Sequence, residues 1–149
     1  MSITYTNNYF DKIIKNIEKQ ILLKIQNIPI FYDENRGQES FLITPVSDSF
    51  IETTSNSHLR QYVTEIRYEM RSGSDYTKDN QLKRLTNIAE ILKRTFFDQR
   101  NIDEIWFDAE VTSVEYEKDE DDSRINRAIV LFQCNNNEVI SWNMYMLKV

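Results

Sequence analysis

Reactive chemistry in a chain of 149 residues would have to come from its single histidine, its single cysteine or its one dense acidic run. A catalytic imidazole needs a nucleophile or an orienting partner within hydrogen-bond reach. His58 sits in the polar stretch SNSHLR with no serine or cysteine motif around it, so a surface or structural role suits it better. Cys134 closes an apolar segment and reads as a small core residue, because buried cysteines are usually inert. The acidic run holds Glu115, Glu117, Asp119, Glu120, Asp121 and Asp122. It lacks the alternating ligands, central glycine and terminal glutamate of an EF-hand loop, and reads as a solvated hairpin tip. No catalytic group, metal or cofactor is therefore expected, and function falls to the surface.

Two further segments could carry such a function. Between Leu59 and Arg71 a period of two puts Tyr62, Thr64, Ile66, Tyr68 and Met70 on one face of a strand. Val63, Glu65, Arg67, Glu69 and Arg71 fall on the other. The alternating signs of Glu65, Arg67, Glu69 and Arg71 favour ion pairs across strands or across subunits over a binding surface of one sign. The C-terminal segment 139–149 carries Trp142, Met144, Tyr145, Met146 and Leu147, a composition suited to an interaction tail as well as to packing on its own domain.

The elements that must position these residues follow from periodicity. From Thr4 or Thr6 to Gln26, Phe10, Ile13, Ile14, Ile17, Ile21, Ile25 and Ile28 keep helical spacing, and Pro29 ends the helix. Pro29 to Tyr32 reads as a short strand. Phe41 to Pro45 reads as a second, with Pro45 at its end or on an edge. Residues 46–58 read as an exposed arm. After a loop in which Asp75 or Asp79 can cap, a second helix runs to about Asn101, with Leu82, Leu85, Ile88, Ala89, Ile91, Leu92, Thr95 and Phe96 as its buried stripe. Strands at Ile105 to Lys118 and Arg124 to Gln133 close the chain. The second has an uninterrupted apolar centre, Ala128 to Phe132, which suits a strand buried on both faces, and Asn135 to Asn137 reads as a polar turn.

One domain covering 1–149 fits this length, with a single core. The expected class is α+β: a mixed or antiparallel sheet of about five strands with two main helices on one side. A net charge of −6 and a pI near 4.9 disfavour a domain that grips nucleic acid by neutralising phosphates. The N-terminal residues lack a signal-peptide pattern, and the run Ile21, Leu22, Leu23 is far too short to span a bilayer. Intracellular synthesis without a membrane partner is the expectation.

The element order, carried by FDKIIKNIEKQILLKIQNIPIFYD, YVTEIRYEMRSG, LKRLTNIAEILKRTFF and the hairpin ending in RAIVLFQ, resembles the tail terminator or tail completion proteins of long-tailed bacteriophages. The resemblance spans about Tyr9 to Phe132. It implies a subunit made in the host cytoplasm that closes into a ring, usually of six, at the top of the tail tube in the virion. The implied partners are other copies of itself, the tail tube protein and a neck stopper or adaptor. DNA would pass without specific binding, with Glu117, Asp119, Glu120, Asp121 and Asp122 facing the lumen as a repelling loop. A head-tail adaptor or stopper is the alternative, and a small intracellular regulator a more distant one.

Overall fold

The computed structural model describes residues 7–72 and 78–139. Asn7 opens the first helix by accepting a hydrogen bond from the Phe10 amide at 3.1 Å, which satisfies one of the amides a helix start leaves without a partner. Thr4 and Thr6, expected to start this helix, lie outside the described residues. Asn8–Ile14 is wound as a π-helix and runs directly into α1, Lys15–Lys24. Ile13, Ile14, Ile17 and Ile21 are all buried along it, and Ile25 and Ile28 continue the apolar line beyond its end.

The chain then forms β1 (Ile30–Phe31), β2 (Glu39–Thr53), β3 (Ser57–Arg71), α2 (Lys78–Asp98), β4 (Phe107–Lys118) and β5 (Ile125–Val139). The strands make one five-stranded sheet in the order β1-β2-β3-β5-β4. It is mixed: β1 pairs parallel with β2, and every other pairing is antiparallel. The fold is α+β, with both helices packed against one face of the sheet.

The five residues of the predicted inner face of β3, Tyr62, Thr64, Ile66, Tyr68 and Met70, are all buried, and Glu69 on the other face is buried beside Arg127. Register places Ala128, Val130, Phe132 and Cys134 of β5 on the same face. Phe132 stacks between Phe96 of α2 at 4.5 Å and Trp106 at 5.1 Å between ring centroids, and the Trp106 indole donates to the Gln99 carbonyl at 2.7 Å. Burying each such side chain contributes about 1.5–3 kcal/mol.

Four expectations change here. β5 is covered on one face only, so Ile129 and Leu131 are half-buried on the opposite side. An unbroken apolar run had suggested two buried faces, but both helices lie on the same side of the sheet. Asn135 to Asn137 form no turn; they continue β5 against the upper half of β3, paired with Gln61, Arg60 and Leu59. In α2, Leu85, Ile88, Ala89, Leu92, Thr95 and Phe96 are buried, whereas Leu82 is 64% and Ile91 37% exposed, because they flank the stripe that meets the sheet. Asp79 lies within α2, past its first residue, and Asp75 lies outside the described residues.

β2 also runs eight residues past Pro45, to Thr53. Beyond Leu42 no strand among the described residues pairs with its outer edge, so the missing proline amide costs no ladder bond there. Extra residues at Val46 and Ile51 form bulges that shift the register. The first bulge moves the inner face from Phe41 and Ile43 to Asp48 and Phe50, a change of phase that simple alternation does not show.

Candidate assembly surfaces

Where the first helix meets the sheet, a polar network crosses the core. The Asn8 side-chain amide donates to the Tyr62 hydroxyl at 2.7 Å and to the Asn136 side-chain oxygen at 2.9 Å. Asn136 in turn donates to the Ile105 carbonyl at 2.7 Å. Tyr9 stacks on Tyr62 with 4.6 Å between centroids, and its hydroxyl donates to the Val63 carbonyl and lies 2.9 Å from Thr64 Oγ1. Burial pushes the Tyr62 phenol up to about 12, against the smaller opposing pull of the Asn8 donor and of the nearby Arg60 charge. This network anchors the root of the β2–β3 arm.

Above the root, one arginine holds three strands together. Arg60 on β3 makes a bidentate pair with Asp48 on β2, through Nε at 3.0 Å and a second, shorter bond. It also donates to Glu138 on β5 at 2.5 Å. The guanidinium lies 5.3 Å from the Phe50 ring centroid and 5.0 Å from that of Tyr62, within cation–π range. Phe50 meets His58 edge-on at 4.9 Å. His58 is thus half-buried as a packing partner of the arm, and Cys134 is fully buried, with burial pushing its thiol well above the usual range. Past these contacts the arm is open to solvent, and Val46, Phe50, Ile51 and Val139 are exposed.

The alternating face of β3 is partly paired within the chain. Glu69 is buried and bonds Arg127 of β5, its register partner, at 2.9 Å; Arg67 reaches Glu65 on its own strand at 3.5 Å. Arg71 is exposed at the strand end, and Arg67 Nε is buried without a hydrogen-bond partner among the described residues. The tail residues Trp142, Met144, Tyr145, Met146 and Leu147 lie outside the described residues.

The acidic run occupies the β4–β5 turn and divides into two classes. Asp119 accepts from the backbone amides of Asp121 and Asp122 at 3.1 and 3.0 Å and from the Arg127 guanidinium at 2.8 Å, which holds its carboxyl below the usual range. Asp122 accepts from the Arg124 side chain and backbone at 3.0 Å, lowering its carboxyl to about 2. Glu117 lies 3.3 Å from Arg127. Glu120 and Asp121 are exposed, with no ion pair among the described residues. Asp119 and Asp122 therefore shape the turn, while Glu120 and Asp121 project charge. Among the described residues no three His, Cys, Asp or Glu side chains converge as a metal site, and no helix is long and apolar enough to cross a membrane.

Arg60, Asn8 and Asn136 are the structural residues that sequence reasoning missed. Their partners are distant in sequence, 128 positions apart for Asn8 and Asn136, and no local pattern announces them.

No protein-family model and no curated protein matches the chain. Among solved structures it is similar to a chain of the virion of the native gene transfer agent particle, with a TM-score of 0.55 and 5% identity. The match covers 89% of this chain and 100% of that one. The likeness is one of fold. It extends over the whole of the other chain.

Proposed function

We propose that this chain is a structural virion protein of a long-tailed bacteriophage that closes into a six-membered ring at the top of the tail tube, terminating the tail and joining it to the neck. The observation that carries this reading is the fold likeness, over 89% of this chain, to a chain of the gene transfer agent virion. Support comes also from the distribution of unusual features: they lie on the surface, as an extended arm, a charged strand face and an acidic turn. A ring needs two different patches on each subunit that fit one another, and a two-layer domain with an arm provides separate patches.

On this reading the tail tube protein and a neck protein bind opposite sides of the ring, and Glu120 and Asp121 face the passing DNA. Electron microscopy of the purified chain mixed with tail tube protein tests the assignment. Rings capping tube ends are expected; a chain found only on the head-side connector would instead make it an adaptor. For the DNA-facing role, Glu120→Gln with Asp121→Asn is the clean substitution, since it leaves the turn-shaping Asp119 and Asp122 in place. Slower DNA ejection or retention of DNA in the neck is expected, and unchanged passage would remove that role.

A further inference from the structure

The face of the sheet turned away from the helices changes character along its strands. Register places Leu42 of β2, Arg67 of β3 and Ile129 of β5 in one row, and Thr44, Glu65 and Leu131 in the next. Leu42, Ile129 and Leu131 are half-buried. Toward the β4–β5 turn this face is closed, because the Asn35 side-chain amide donates to Ser40 Oγ at 2.9 Å and Arg127 spans Glu69 and Asp119. Toward the arm tip Gln61, Gln133 and Asn135 make it polar. Between these limits lies an apolar patch around one cation. The Arg67 side chain is 33% exposed, stands 3.5 Å from Glu65, and has no hydrogen-bond partner for Nε among the described residues. A guanidinium set among aliphatic side chains suits the face of an aromatic ring.

Residues 140–149, ISWNMYMLKV, lie outside the described residues and follow Val139, the last residue of β5. Their one charge is Lys148. In extended form this sequence sets Ile140, Trp142, Met144 and Met146 on one side, so that an unbroken apolar side can lie on an apolar patch. Reach decides whose patch it is. Val139 pairs with Ser57 at the arm tip, whereas Leu131 and Ile129 lie eight and ten residues back along β5, about 26 and 33 Å away. Trp142 and Met144 are three and five residues past Val139, at most about 11 and 18 Å from it even without a turn. They fall short of the patch on their own chain.

We infer that residues 140–149 of one copy lie extended over this patch on a second copy, with Trp142 stacked on Arg67 and with Met144 and Met146 against Ile129 and Leu131. This deepens the ring reading and rests on it for the closed oligomer. Segment and patch are different surfaces of one chain, so the contact is heterologous and builds a ring or a filament according to its rotation.

Two experiments on the full chain decide it. Trp142→Ser with Met144→Ser, or Arg67→Gln with Leu131→Thr, should each weaken self-association about tenfold or more in sedimentation, with the denaturation midpoint measured beside it as a check on folding. Independently, Trp142→Cys mixed with a separate Leu131→Cys chain should give a mixed disulfide dimer on mild oxidation, while neither variant links to itself; Cys134 is buried and stays silent. Phe50 on the arm and Leu23 on α1, 61% and 60% exposed, are rival apolar seats. Trp142→Cys bonding instead to Phe50→Cys within one chain or to Leu23→Cys, or Leu131→Cys bonding to itself, overturns this contact and leaves the ring reading standing. Rings that persist through both sets of substitutions do the same. A mixed disulfide in open filaments without rings keeps the contact and removes the ring. A chain that stays monomeric even beside tail tube protein overturns both.

Discussion

The two halves of β3 are built from different forces. From Tyr62 to Met70 the strand lies under the helices, every inner side chain is buried, and apolar contact holds it in place. From Ser57 to Gln61 the same strand lies in the arm, where the inner side chains are His58 and Arg60 and hydrogen bonds and one guanidinium replace the core. The contrast shows how a sheet can extend past its helical cover: a polar network marks the border at Asn8, Tyr62 and Asn136, and charge pairing continues from there.

The largest effect should come from breaking the body. Phe132→Ala removes the ring between Phe96 and Trp106, and chemical denaturation should show a loss of about 3–5 kcal/mol. At the border, Asn136→Leu leaves the Asn8 amide and the Ile105 carbonyl without their buried partner, and the same measurement should report about 1–3 kcal/mol. Out on the arm, Arg60→Ala should barely move the global midpoint. Hydrogen exchange should instead find the amides of 47–60 exchanging about tenfold faster while those of 62–70 keep their protection. Equal acceleration in both halves would erase the distinction between them.

Titration sharpens the contrast further. The folded chain raises the Tyr62 phenol to about 12, so its contribution is complete below the ordinary tyrosine range near 10 and is lost as pH rises through 12. Alkaline unfolding should begin in that window and be shifted in Tyr62→Phe. Asp122 runs the other way: its depressed carboxyl contributes above the ordinary range near 4 and loses that contribution as pH falls through about 2. Carbon-detected carboxyl titration should place its midpoint near 2, with little change in the midpoint of global unfolding, because the turn is exposed.

Much of the body was legible in the sequence because its signals are local. The i, i+3, i+4 spacing of Ile13, Ile14, Ile17 and Ile21 reflects the turn of a helix, and the alternation from Tyr62 to Met70 reflects the pleat of a strand, so each specifies its own buried face. The arm was less so. Its extent at 46–58 could be suspected from polarity, but the bulges at Val46 and Ile51 reverse the inward face without any residue type that marks them. Nor could the acidic run reveal that Arg124 and Arg127 engage Asp122 and Asp119 and leave Glu120 and Asp121 outward.

By itself, then, the sequence determined the order and type of the elements and the core faces of α1, α2 and β3, since those depend on neighbours a few residues apart. Only the tertiary structure decided that β5 is covered on one face, so that Ile129 and Leu131 stay half-buried, and that Asn136 belongs to a strand. These outcomes rest on pairings between distant segments. Their free energy arises only when the chain has closed, and no short window of sequence contains both partners.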